Sequence, residues 1–338
     1  MHPRLFEIPL IHVTIWGFGL MMVFGFLSAL WLMRRLGRRA GLDAETISNL
    51  ALYALIVGVI GARAFFVWHH FDEFRGEILG VFAIWRGGLE FLGGVVPAIA
   101  FLLIYLRARR LPIRRYLDIL AVGLMMGLAF GRLGCFLNGC CFGRPTDVPW
   151  ALRFPYRSYA YVSQINPDPQ RDRAEPYLHV PPSEYAAFYT RDGRWYPKPL
   201  DALTEHQRHE VTQGKYRCLP IHPTQLYASA NAFLLCGVLC LLWRRSLTGI
   251  RSDHFRDRLW RPGIAVVGLC LLYGPARFVL EAIRDDNPYE VGTLTISQIV
   301  GLVMLAAGGV LLVVLLTNKA EGHEVKASAE PGAGSAEP

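Results

Sequence analysis

Seven stretches of the chain consist almost wholly of apolar residues, at roughly 13–33, 46–68, 88–106, 117–137, 223–243, 263–283 and 294–317. Each is close to the ~20 residues an α-helix needs to cross a hydrocarbon core about 30 Å thick. One soluble fold has no use for seven such helices, so the pattern predicts an all-α polytopic membrane protein with seven transmembrane helices. The first run is too long for a signal-peptide core and lacks small-residue cleavage chemistry. It leads straight into RRLGRR, a stop-transfer flank. Residues 138–222 contain no apolar run and are rich in Pro, Tyr, Arg and Asp; they predict a small extracytoplasmic head. Residues 318–338 show no apolar periodicity and predict a disordered cytoplasmic tail. The organisation is therefore 1–137 for helices one to four, 138–222 for the head, 223–317 for helices five to seven and 318–338 for the tail.

Arginine placement orients the helices. The loops 34–47, 107–116 and 244–262 hold fifteen arginines, whereas the loops on the other side hold only Arg4, Arg75, Arg86 and Arg284 outside the head. Lys and Arg concentrate on the cytoplasmic side, so the N-terminus is placed outside and the C-terminus in the cytoplasm. The net charge of +8 follows from this bias and gives no reason to invoke nucleic acid. The chain is 53% hydrophobic and 18% charged, against about 25% charged for soluble domains.

Ionisable residues inside a membrane are costly and usually functional. Six lie in or at the edges of the apolar runs: Arg63, Glu90, Asp118, Arg132, Arg277 and Glu281. With the orientation above, all but Asp118 fall at a similar depth toward the outer leaflet. Asp118, at the cytoplasmic start of the fourth run, is expected to cap that helix. Arg277 and Glu281 are spaced i,i+4 and share a helix face, so they are expected to pair. Arg63 and Arg132 are then left with Glu90 alone, and a surplus guanidinium at membrane depth suits the phosphate of a phospholipid headgroup. An arginine near a helix end can instead simply snorkel to the interface; five charges at one level weigh against that for the group as a whole.

The fourth run ends in GRLGCFLNGCCFGR, Gly131–Arg144. Irregular backbone at this depth is tolerated only where it is buried in protein or lines a polar cavity. The glycines and Asn138 therefore suggest a cavity-lining turn that presents Arg132 and backbone N–H groups to an anion. Small residues that pack helices would explain the glycines but not Arg132 with Asn138. The cysteine spacing C-x₄-CC lacks the second pair of a structural zinc site, so no metal is expected. A disulfide among Cys140, Cys141 and Cys218 stays open on the oxidising side.

These residues resemble the prolipoprotein diacylglyceryl transferase family, whose signature runs roughly GR-x-GNF-x-NGE-x-x-G. Other segments agree in order: GLMMVFGFLSALWLMRR with the first family helix, IGARAFFV with the second, and WRGGLEFLGG with W-x-GG-[LM]-SFHGG. HPTQLYASANAF is similar to HPSQLYE, YGPARFVLEAIR to YG-x-x-R-x-x-x-E-x-x-R, and ISQIVGL to the seventh helix. The likeness spans about residues 12–317 except most of the head. It implies an enzyme of the bacterial cytoplasmic (inner) membrane that moves the diacylglyceryl group of phosphatidylglycerol to the lipobox cysteine thiol of preprolipoprotein signal peptides. Glycerol phosphate is released, and no cofactor is used. By the same resemblance, Arg132 and Arg277 are the two leading arginines and Glu281 orients Arg277. Asn138, Gly143, His222, Gln225, Tyr227 and Tyr273 surround the lipid head with Arg63.

The departures from the family pattern are specific. The family histidine of SFHGG falls at Leu92, which leaves Glu90 or His222 as the candidate base. The asparagine of GNF is Cys135, the glutamate of NGE is Cys140, the glutamate after QLY is Ala228, and the first-helix tyrosine falls at Phe18. These replacements fit a divergent paralogue with an altered acceptor as well as the transferase. Two further classes stay open: a membrane thiol/disulfide redox protein using Cys135, Cys140 and Cys141, and an anion transporter. The first lacks a C-x-x-C pair. The second lacks charge in the inner halves of the helices.

Overall fold

The computed structural model describes residues 4–8, 13–74, 78–83, 87–189, 193–248 and 259–317. Seven long helices form where the apolar runs lie: α1 Gly17–Arg39, α2 Ala44–His69, α3 Phe91–Ala108, α4 Ile113–Asn138, α5 Thr224–Thr248, α6 Ile264–Ile283 and α7 Ile296–Thr317. All seven are long and apolar enough to cross a membrane, and the chain is a multi-pass membrane protein. Arg75, Arg86, Arg251, Arg256, Arg258 and the 318–338 tail lie outside the described residues.

Helix continues through several of the flanking arginines. α1 runs on to Arg39, α4 begins early enough to take in Arg114 and Arg115, and α5 takes in Arg244 and Arg245. Arginine is a good helix former, and at the ends of α1 and α5 its cation also complements the C-terminal dipole. This early start corrects the expectation for Asp118. It lies inside α4 and does not cap it. Its carboxylate instead accepts from Gly263 N (2.6 Å) and Val266 N (3.0 Å), so it caps the first turn of α6 from a neighbouring helix.

α1 packs on α4, α2 on α3, α4 on α5, and α6 on α7. The main core, with Ile47, Leu50, Leu106, Ile119, Val122, Leu239 and Ala265, lies among α1–α6. α6 is interrupted by a π-helical turn, Leu269–Tyr273. Pro275, just beyond it, has no N–H to give to the preceding turn, which accounts for the local widening. α6 and α7 then cross closely at two glycines. A Cβ on Gly274 would lie 2.6 Å from the Gly301 carbonyl oxygen, and one on Gly301 would lie 2.7 Å from that of Gly274.

The helical architecture carries two small hairpins. β1 (Arg4–Ile8) and β2 (Val13–Trp16) pair antiparallel ahead of α1. β2 takes the first residues of the opening apolar run, Val-Thr-Ile-Trp, which are β-branched or aromatic and suit a strand. In the head, β3 (Ala186–Tyr189) pairs with β4 (Arg194–Pro197). The head buries a core of its own, with Phe142, Phe154, Tyr161, Ile165 and Ile221. Within it, Asn166 bonds both the N–H and the carbonyl of Trp195 at 2.8 Å.

Candidate functional site

The described arginine-rich ends of α1, α3 and α5 gather at one end of the bundle. The motif residues gather at the other, where α4 ends, α5 begins, α6 ends and α7 begins. α4 stops at Gly139, whose φ of +79° sets the left-handed cap and whose N–H reaches Cys135 O at 2.9 Å. The chain leaving this cap threads between two other segments. Gly143 N donates to His222 O (3.1 Å) and His222 N to Arg144 O (3.1 Å) on one side. Arg144 N donates to Ile283 O (2.9 Å) and Asp285 N to Phe142 O (3.2 Å) on the other. A Cβ on Gly143 would lie 2.6 Å from the Cβ of His222, so the close passage needs glycine there. This threading brings the three sequence motifs into one site.

Glu281, only 1% exposed, organises the arginines. It pairs with Arg277 at 2.7 Å, as the i,i+4 spacing requires, and with Arg284 at 3.3 Å. Asn287 and Thr295 also donate to its other oxygen. The Gly274–Gly301 crossing places Ser297 on α7 beside Arg277, which donates to its hydroxyl at 2.8 Å. Arg284 is further held by Asp286 at 2.8 Å. Burial works against the Arg284 cation, but the Asp286 hydrogen bond and charge override it and keep the guanidinium above its ordinary pKa. Burial in turn pushes the Asp286 carboxyl above its usual range, against the pull of Arg284.

Arg132 is different. It lies within charge–charge range of Arg284, Arg277 and Tyr273. Among the described residues its hydrogen-bond partner is a sulfur, with Nη1 3.5 Å from Cys141 Sγ, and no carboxylate pairs with it. The sulfurs of Cys135, Cys140 and Cys141 lie within 4.8 Å of one another. Cys141 sits at φ +61°, a left-handed conformation that costs a residue with a Cβ about 1–2 kcal/mol. The turn is clamped from α5: Gln225 Nε2 donates to Cys140 O and Thr224 Oγ1 to Cys141 O, both at 2.7 Å.

The other sequence candidates fall into two groups. Asn138 closes α4 beside Cys140. His222 Nδ1 lies 3.3 Å from the Tyr227 hydroxyl, which accepts from Trp150 Nε1 at 2.6 Å. Gln225 is buried, and among the described residues its Oε1 has no hydrogen-bond partner. Arg63 and Glu90 stand apart from this cluster. The Arg63 guanidinium donates to four loop carbonyls, Gly80 (2.6 Å), Gly87 (2.7 Å), Val81 (2.8 Å) and Gly88 (3.0 Å). It therefore fastens the connection ahead of α3, and equal depth in the sequence did not mean contact. Glu90 pairs with His69 at 2.9 Å. Arg284, Asp286, Thr295 and Ser297 were missed as site residues. For Arg284 two signals were available, its i,i+3 spacing from Glu281 and its place as the closing arginine of the YG-x-x-R-x-x-x-E-x-x-R run. All seven cysteines are free thiols, and Cys218 is buried in the head core against Gln164.

A family model for prolipoprotein diacylglyceryl transferase matches residues 3–314. The chain belongs to that family. It is 29% identical over 310 residues to the phosphatidylglycerol–prolipoprotein diacylglyceryl transferase of Synechococcus elongatus, covering 90% of this chain and 84% of the relative. The enzyme of the same name from Rhodospirillum rubrum is 29% identical over 308 residues, covering 88% and 86%. That of Geobacillus kaustophilus is 28% identical over 305 residues, covering 89% and 88%. The match to the transferase family includes the head as well as the seven helices.

Proposed function

We propose that this chain transfers the diacylglyceryl group of phosphatidylglycerol to the lipobox cysteine of preprolipoproteins, at the outer face of the bacterial cytoplasmic membrane. The observation that carries the reading is the imbalance of charge around Arg132. Arg277 and Arg284 are matched by Glu281 and Asp286, whereas Arg132 has no carboxylate partner among the described residues. An uncompensated guanidinium at a membrane-level site suits a phosphodiester, whose bidentate oxygens fit its planar fork. As the carbon–oxygen bond breaks, negative charge grows on the departing phosphate, and fixed cations stabilise it without reorganising.

In this reading Arg132 grips the phosphate, and Arg277, held in place by Glu281, faces the developing charge. Tyr273 lies beside both, and His222, Gln225 and Tyr227 close the far side. The N-terminus faces outward, the 138–222 head is extracytoplasmic, and the arginine-rich ends stay in the cytoplasm. The outer end of the bundle carries exposed Trp68, Phe91, Trp150 and Tyr159, side chains that favour the headgroup level of a bilayer.

The test is complementation of bacteria depleted of their own transferase, together with transfer from phosphatidylglycerol to a lipobox peptide read by mass. Wild type restores lipoprotein maturation, and Arg132→Ala does not, although it inserts normally. A wild-type chain that inserts but neither rescues nor transfers would end the assignment.

A further inference from the structure

In the chemistry proposed above the acceptor is a thiol, and it must become a thiolate to attack. The position the family resemblance gives to an imidazole is Leu92, and Glu90 is engaged with His69. The structure instead gathers three thiols beside Arg132. Cys135 on the last turns of α4 meets Cys140 and Cys141 on the turn behind it, all three sulfurs lying within 4.8 Å of one another. Zinc–sulfur bonds of about 2.3 Å in a tetrahedral site put sulfurs roughly 3.8 Å apart, so a modest inward shift closes the set.

The turn is a built one. The left-handed Gly139 reverses the chain, Cys141 is itself left-handed, and Gln225 and Thr224 hold the carbonyls of the two adjacent cysteines. Arg132 Nη1 lies 3.5 Å from Cys141 Sγ, so the cluster adjoins the guanidinium that grips the phosphate in the proposed site. Among the described residues no fourth His, Cys, Asp or Glu joins the cluster. Three protein ligands with a vacant fourth position is the pattern of catalytic zinc, whereas structural sites are closed by four.

We propose that Cys135, Cys140 and Cys141 bind a soft d10 cation such as zinc, and that its open position takes the sulfur of the acceptor cysteine. The inference rests on the transferase reading and deepens it. Thiolates favour zinc over harder ions, and a thiol bound to it is deprotonated outright. The acceptor S–H proton leaves to solvent. The thiolate pair forms the sulfur–carbon bond to the glyceryl carbon, and the carbon–oxygen bond breaks with its pair on the phosphate oxygen. Glycerol phosphate departs as the dianion or takes up one proton from solvent. No electron is gained or lost overall, and no oxidant is required.

The experiment uses the full-length protein in lipid nanodiscs under a non-thiol reductant, with cobalt(II) as the spectroscopic probe. The expected result is one cobalt per chain, with thiolate-to-cobalt charge-transfer bands and visible bands of tetrahedral intensity. These bands disappear in Cys135→Ser, Cys140→Ser and Cys141→Ser. A lipobox peptide shifts the visible bands of the wild type, and the same peptide with serine at its cysteine does not. That comparison holds even if a variant fails to fold. Absence of the charge-transfer bands, or an equal response to both peptides, overturns the proposal. So does a chelated, metal-free enzyme that transfers at the full rate, which leaves the transferase reading standing. A cysteine-specific shift without any transfer from phosphatidylglycerol supports the metal site and removes the transferase reading.

Discussion

Arg63 and Arg132 look alike in the sequence: each is an arginine near the C-terminal end of an apolar run, preceded by small residues. In the structure they do opposite things. Arg63 is 7% exposed and bonded to four backbone carbonyls through four of its five N–H groups. Arg132 is half-buried, with a single long contact to a sulfur. A buried guanidinium that has satisfied its donors is part of the framework. One that has not is waiting for an anion. Depth in the membrane shows that a charge is expensive; only its partners show whether it is free to act.

The largest effect that could break this comparison is at Arg132. Arg132→Ala is expected to lower kcat/KM about 10²–10³-fold, the scale of removing one preorganised donor, with little change in thermal stability. Arg132→Lys keeps the charge but loses the fork and should fall between. Retention of more than a tenth of the activity by the alanine variant would remove Arg132 from the chemistry.

Next is Glu281→Gln, which releases Arg277 and Arg284 together. Breaking a buried pair from one side costs about 3–5 kcal/mol, so both kcat/KM and thermal stability should drop. Arg63→Ala should do the reverse of Arg132→Ala. Leaving buried carbonyls unpaired costs about 1–3 kcal/mol each at most. The unfolding midpoint in detergent should therefore fall by several degrees, while the surviving enzyme keeps kcat/KM within about threefold of wild type, which lies inside a free-energy change of 1 kcal/mol. A collapse of activity without loss of stability would return Arg63 to the site. The smallest effect is at Glu90: with its carboxylate on His69, Glu90→Gln should leave transfer rates nearly unchanged. In the head, burial pushes the Cys218 thiol up to about 11. It should accordingly resist maleimide at pH 8 in the folded protein and react once the protein is denatured.

All seven helices were legible because apolar length is a local property. So was the Arg277–Glu281 pair, since i,i+4 geometry needs no tertiary knowledge. The partners of Arg63 were not legible. They are carbonyls of a connection whose path depends on how α2 and α3 pack, and no side-chain pattern encodes them. Asp118 was assigned to the wrong helix for the same reason: capping was assumed to be local, and its acceptor role is filled from α6. Cys135, Cys140 and Cys141 were already grouped in the sequence, and the reversal at Gly139 is what brings their sulfurs, at i, i+5 and i+6, to one point. Arg284 was counted as a loop charge, although it closes the YG-x-x-R-x-x-x-E-x-x-R run and Glu281 three residues earlier pointed to it.

The strand-like passage of Phe142–Arg144 between His222 and the Ile283–Asp285 segment has a consequence for biosynthesis. The chain is made and inserted from its N-terminus, so Arg132 and its cysteines enter the membrane long before residue 283 leaves the ribosome. Until then one edge of the passage has nothing to bond to, and Arg277 and Arg284 do not yet exist. A nascent chain stalled after its fifth helix therefore holds half of the motif cluster, which is complete only once the sixth helix and the turn after it have come into place.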